Sequence, residues 1–265
     1  MLKKKYVTLA KMTMQHTIAY RFSYFISLLG SLIFILTMFF MWKAIFDGRE
    51  ELSGFTWPQM KAYIFITFLT NSLISWYSET RISKKILSGE VAMDLLKPLD
   101  FQKARAAETI GSSLMEGAIA AIMIGVTLVL AGGIMLPESS LTLALFIISL
   151  LASLLIKFCI VYIVGLICFW TSNSIGVAWM RAAVTNFLSG AIIPLSFFPA
   201  WLEFLARVLP FQGIVYIPAS IYLERMSTIE AVQGIGMQLI WIIVLWIAAK
   251  GMWNWAVRQV TIYGG

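Results

Sequence analysis

Residues 139–180 read SSLTLALFIISLLASLLIKFCIVYIVGLICFWTSNSIGVAWM and contain one charged side chain, Lys157. A helix crosses a bilayer with about 20 apolar residues. The stretch is therefore too long for one span, and the polar turn Thr171-Ser172-Asn173-Ser174 divides it. One span falls at about Leu141 to Trp170, and another begins near Ile175.

Working outward, further charge-free runs appear at Phe22–Trp42, Ala62–Ser78, Gly117–Pro137 (extended back to about Ile110) and Ala231–Ala249. The reading is an all-α integral membrane protein with six transmembrane helices in a single domain over residues 1–265. Composition agrees. The chain is 60% hydrophobic and 12% charged, with a mean hydropathy of +0.86, against roughly 25% charged residues in soluble domains. Residues 1–21 lack the cleavage pattern of a signal peptide, so the first run is expected to remain as an anchor.

The stretch from Pro194 to Pro218 is apolar but broken by Pro194, Pro199, Pro210, Gly213 and Pro218. Proline removes a backbone donor, and unpaired backbone is not tolerated against lipid. Residues 194–228 are therefore expected to form a re-entrant or interfacial hairpin outside the cytoplasm, between spans five and six. The alternative is a kinked seventh span.

The basic residues orient the bundle. Lys3, Lys4, Lys5, Lys11, Arg21, Arg81, Lys84, Lys85, Lys97, Lys103, Arg105, Arg181, Lys250 and Arg258 fall on one side. Only Lys43, Arg49, Lys61, Arg207 and Arg225 fall on the other. The positive-inside rule places the first group, and with it both termini, in the cytoplasm. Seven spans would carry the C-terminal charges outside. Trp42, Trp57, Trp76, Trp170, Trp179, Trp201, Trp253 and Trp255 lie near span ends, as in an interfacial aromatic belt.

Three parts are candidates for function. In residues 1–21, Leu2, Tyr6, Leu9 and Thr13 follow helical spacing. This reads either as an amphipathic helix on the inner membrane surface or as a basic flank that fixes topology. The cytoplasmic connection 79–108 carries Ile82, Ile86, Leu87, Val91, Leu95 and Leu96 among charges, with Gly89 interrupting the helical pattern and Pro98 ending it. Such residues either lie on the membrane or dock onto another protein; docking is favoured. Lys157 and Glu116 are charges inside spans four and three. Intramembrane charges point to function by default; a structural ion pair, with the lysine reaching along its stem, is favoured here over a substrate site.

No catalytic set is visible. There is no phosphate-binding loop ending in Gly-Lys and Ser or Thr, His16 is the only histidine, and Cys159 and Cys168 form no metal motif. Asp47, Asp94 and Asp100 all fall in loops, away from any intramembrane aspartate pair.

Taken together, the chain resembles the membrane subunit of bacterial type-2 ABC transporters, mostly exporters. The resemblance rests on the basic N-terminal helix, the six spans, the segment Ile86-Leu87-Ser88-Gly89-Glu90 through Leu95-Leu96-Lys97-Pro98-Leu99, the hairpin Ile193-Pro194-Leu195-Ser196-Phe197-Phe198-Pro199 with Leu209-Pro210-Phe211, and the terminal Tyr263-Gly264-Gly265. It implies that the 82–99 region is a coupling helix, seated on a separate ATPase present in two copies. It implies a second six-span permease, identical or homologous, that completes the translocation path. The expected location is the bacterial cytoplasmic membrane. ATP and Mg belong to the partner ATPase, with no cofactor on this chain and no nucleic acid among its ligands. Two other classes stay open: a secondary transporter, and a non-transporting immunity or sensor subunit.

Overall fold

The computed structural model describes residues 2–19, 21–74, 76–130 and 136–259. The terminal Tyr263-Gly264-Gly265 and the Arg21 and Trp76 side chains fall outside what is described. The chain opens with α1 (Leu2–Ala19) and α2 (Arg21–Ile45). A short hairpin follows, β1 (Glu51–Leu52) with β2 (Phe55–Thr56), turned by Ser53 and Gly54 at positive φ. Next come α3 (Trp57–Ser72), α4 (Trp76–Leu87), α5 (Val91–Leu95), α6 (Phe101–Leu130) and α7 (Ser140–Leu166). The last part holds α8 (Ser174–Leu188), α9 (Ala200–Val208), α10 (Tyr216–Tyr222) and α11 (Thr228–Ala256).

Local chemistry sets these boundaries. Pro58 lies in the first turn of α3, and the Gln59 carboxamide accepts the Thr56 N–H at 3.1 Å. Ser139 Oγ accepts from Leu141 N at 3.2 Å and starts α7. Asn173 Oδ1 accepts from Gly176 N at 2.9 Å and starts α8, so the polar turn does divide the 139–180 stretch. Ser227 and Glu230 form a reciprocal cap on α11.

Among the described residues, three helical segments are long and apolar enough to cross a membrane unaided: Phe101–Gly125, Ser140–Phe169 and Thr228–Ala256. Their outer faces expose large apolar side chains, such as Ile122 on α6, Ile147 and Leu151 on α7, and Ile240, Ile243 and Ile247 on α11. Soluble monomers do not tolerate patches of this kind. Lipid is the solvent, and the protein is a multi-pass membrane protein.

Two boundaries differ from the sequence reading. The run expected to span Ala62–Ser78 starts earlier, at Trp57, and its helix stops at Ser72, so α3 is only 16 residues long. The connection 79–108 is largely helical: α4 runs to Leu87, and α6 already begins at Phe101. Asp100 is the reason for the early start, because its Oδ1 accepts the Lys103 N–H at 3.0 Å and caps α6.

The broken stretch after α8 folds into short pieces. Pro194 and Pro199 flank a 3-10 turn at Leu195–Phe197, and Pro210 opens another at Pro210–Gly213. At about 1.5 Å per residue, neither α9 nor α10 is long enough to cross. Residues Tyr216–Ile221 of α10 are all buried, packed among α7, α11 and α3. That shields their backbone from lipid, as such a segment requires. Gln238 on α11 locks the arrangement. Its Nε2 donates to the carbonyls of Gly213 (2.7 Å) and Ser149 (3.1 Å), and its Oε1 accepts from Ser149 Oγ (3.0 Å).

Trp42 departs from the expected aromatic belt. It is buried against Phe46 and Phe197, whereas Trp179, Trp201 and Trp255 are exposed.

Candidate functional site

The candidates expected in the cytoplasm gather at one end of the bundle. Asp100 is the junction: its N–H donates to Tyr6 Oη of α1 at 3.2 Å, and its Oδ2 accepts Lys250 Nζ of α11 at 2.9 Å. The start of α6, the N-terminal helix and the end of α11 therefore lie together. The opposite end is tied separately, where Arg225 donates to the Gly54 carbonyl at 2.7 Å and stacks 3.6 Å over the Phe55 ring. This separation matches the charge asymmetry of the sequence.

The N-terminal segment is a helix, and its expected stripe has a partner. Tyr6 and Leu9 are half-buried and Thr13 is buried, facing α6, while Val7 and Met12 are exposed. The contact is intimate at Gly111, where an added Cβ would overlap the carbonyl of Ala10. Packing on α6 is thus a third outcome, beside the surface helix and the plain basic flank.

The coupling candidates divide into two groups. Ile82 and Val91 are buried, Val91 to 2% exposure, in a core with Ile74, Phe101, Phe158, Tyr162 and Leu166. Ile86 packs partly against the same core. Leu87, Leu95 and Leu96 face outward, Leu96 with 79% of its surface exposed, and Pro98 is also exposed. Met93, which the sequence reading passed over, joins them at the surface. Instead of one helix over 82–99 there are two: Gly89 at φ +77° turns the chain between α4 and α5, a conformation that favours glycine.

Asp94 holds α5 in place. Its carboxylate accepts Lys85 Nζ at 2.9 Å and Lys97 Nζ at 2.7 Å, and Arg105 Nη2 stands 3.4 Å away. Arg105 also pairs with Glu108 at 2.8 Å. Burial by itself would raise the Asp94 carboxyl. The hydrogen bonds from Lys97 and Lys85 and the charge of Arg105 outweigh it and hold the group below the ordinary carboxylate range. A lowered folded-state pKa stabilises the docked form above the unfolded pKa, about 3.9 for aspartate. That contribution is lost as pH falls through the lower folded value. At neutral pH it is fully present. We expect Asp94→Asn to free α5, so that amides of residues 88–97 exchange hydrogen at least ten-fold faster, corresponding to about 1.4 kcal/mol. Unchanged exchange there would mean that the ion cluster does not hold the segment.

Lys157 and Glu116 come to the wall of one cavity. Lys157 Nζ donates to two main-chain carbonyls at the end of α3, Asn71 at 2.8 Å and Ile74 at 3.0 Å. These belong to the last turn and exit of a helix, where carbonyls lack intrahelical donors and a cation is favoured. Cys159 and Cys168 are both buried as free thiols. Among the described residues, no group of three or more His, Cys, Asp or Glu is placed to hold a metal ion.

Long lipid-facing helices and a broken, buried segment after α8 describe a membrane-embedded protein. Over residues 32–264 the chain matches the sequence profile of the ABC-2 family transporter proteins. It belongs to that family, and is a membrane permease subunit of an ABC-2 type transporter. Membership implies a transport system with an ATPase partner. Comparison with curated proteins gives no match.

Proposed function

We propose that the chain is half of the translocation path of an ATP-driven exporter, driven by a separate ATPase seated on residues 82–99. In this reading six helices cross the bacterial cytoplasmic membrane, with α3 and α8 supplying the two short crossings, and both termini are cytoplasmic. Residues 194–228 form the hairpin on the far side. A second permease, identical or homologous, completes the path, and two ATPase copies bind below. ATP and Mg act on those ATPases, and this chain has no hydrolytic role of its own. Closure of the ATPases moves α5, and the rigid junction at Asp94, Arg105 and Asp100 passes the motion to α6 and α11.

One observation carries this reading. Leu87, Met93, Leu95 and Leu96 are presented to the surface by a segment that Asp94 fixes from beneath, at the bundle end that also holds α1 and the end of α11. Apolar anchors on a preorganised support are what a protein interface needs.

The test uses a single reactive thiol. Both native cysteines are buried, so Leu96→Cys introduces one accessible site. With the ATPase co-expressed, this variant is expected to crosslink to it in membranes, in a yield that changes with ATP. A cysteine replacing Trp201, which is exposed on α9, is expected to give no such product. Absence of the Leu96→Cys product while the ATPase copurifies would place the coupling contact elsewhere.

A further inference from the structure

A groove of about 620 Å³ opens between α1 and α4, beside the Asp94 ion cluster. On one side Leu9, Met12 and His16 of α1 recur at helical spacing. On the other, Arg81, Lys84 and Lys85 of α4 do the same. Ile82 and Ile86, on the neighbouring face of α4, pack into the core, which turns the basic face away from it. Glu90 and Glu108 also line the groove, and Glu108 is paired with Arg105 at 2.8 Å. Lys85 is held by Asp94 at 2.9 Å. The basic side is therefore carried by Arg81 and Lys84, whose guanidinium and ammonium each have several N–H donors to share among partners. Helix α1 adds the exposed Lys4, Lys5 and Lys11 nearby and contains no acidic residue.

The depth of the groove follows from α6, which contributes Glu108. That helix has 30 residues. At about 1.5 Å per residue it is about 45 Å long, against about 30 Å of hydrocarbon. About 15 Å must therefore stand outside the hydrocarbon. Lys103, Arg105 and Glu108 fall in its first turns, and from Gly117 on it carries no charge. The excess length thus lies at the Phe101 end. Glu108 is about 10 Å along the helix from Phe101, which is headgroup depth.

We propose that this groove binds the phosphate of an anionic lipid from the adjoining leaflet, with the phosphate oxygens at Arg81 and Lys84 and the glycerol and first acyl carbons against Leu9 and Met12. Basic side chains at headgroup depth attract anionic lipid, and the planar fork of an arginine matches phosphate geometry. The apolar side decides between a lipid and a free phosphate. Leu9 is half-buried and Met12 exposed, a surface that a soluble phosphate would leave wet and a lipid would cover. A lipid seated there touches α1 and α4 together, and α4 leads through Gly89 into α5.

That the leaflet is the cytoplasmic one rests on the topology proposed above; binding does not. The test therefore uses the full permease chain in a nonionic detergent, without ATPase. It is titrated with dioleoyl phosphatidylglycerol, dioleoyl phosphatidylcholine and glycerol phosphate, and the bound molecules are counted by native mass spectrometry. Phosphatidylglycerol is expected to fill a single tight site, about ten-fold ahead of the zwitterionic lipid. Glycerol phosphate carries the phosphate without the chains and is expected not to compete at millimolar concentration. Lys84 is exposed, so Lys84→Glu should fold. It is expected to weaken the site about thirty-fold, the effect of reversing one basic charge at an anionic surface. Lys11→Glu makes the same change at an exposed position of α1 that does not line the groove, and is expected to leave the site nearly intact. A site untouched by Lys84→Glu, equal weakening by Lys11→Glu, or equal binding of phosphatidylcholine overturns the proposal. Competition by glycerol phosphate overturns the lipid assignment in favour of a soluble phosphate. Failure of the exporter reading looks different: the lipid titration stands, but no ATPase crosslinks to Leu96→Cys.

Discussion

Leu87→Asp combined with Leu96→Asp is expected to abolish ATP-driven transport while leaving the folded permease in the membrane. Both side chains are exposed, and surface substitutions away from packed features usually change stability by no more than about 0.5 kcal/mol. Thermal unfolding of the purified variant should therefore match the parent. The interface is another matter. Apolar anchors at the centre of a contact contribute about 2 kcal/mol or more each, and a carboxylate forced into such a contact adds an unpaired buried charge. Together the two changes should weaken ATPase association by about 100-fold or more. The readouts are the ATPase retained on the tagged permease and transport in vesicles. Normal transport by the double variant would exclude docking on this face. Val91→Asp is no substitute, because Val91 lies in the core with Phe101 and Tyr162; that variant would fail through its fold.

The contrast between Val91 and Leu96 shows where the sequence stops being legible. Six apolar residues among charges signal that something is covered, and helical spacing suggests a face. The spacing does not distinguish a residue that covers its own bundle from one that awaits a partner. Gly89 was visible as an interruption, yet its consequence, a reversal that turns α5 inward at Val91 and outward at Leu96, depends on tertiary packing. Met93 was missed because methionine in an apolar chain carries little signal. Gln238 gave a readable one, a carboxamide inside a clean apolar run. Polar side chains in spans commonly bond across helices, but the partners here include the Gly213 carbonyl, and a backbone acceptor has no letter in the sequence. The long spans were plain because length and apolarity suffice to identify them. The short α3 was not, since the carbonyls at its end, Asn71 and Ile74, find their donor on the neighbouring α7.

That stop is where the second large effect is expected. Lys157 reaches from α7 across to the exit of α3 and donates to the carbonyls of Asn71 and Ile74. The sequence pointed to a carboxylate as the natural partner of a buried lysine. The end of α3 offers the ammonium further acceptors, carbonyls already polarised by the helix dipole. Lys157→Met keeps the length and apolar stem of the side chain and removes both bonds. Each buried acceptor left without a donor costs about 1–3 kcal/mol, so the variant should lose roughly 3 kcal/mol or more. For a chain of this size that lowers the melting temperature by roughly 6–12 °C. Hydrogen exchange should rise first in the last turn of α3, because that is where the donors are lost. Glu116→Gln is expected to cost less, since the carboxamide keeps the shape and an acceptor oxygen. Combining the two measures how much of the lysine's stabilisation runs through Glu116, as any departure from additivity. If Lys157→Met melts with the parent and α3 exchanges no faster, the carbonyl clamp has no part in ending that helix.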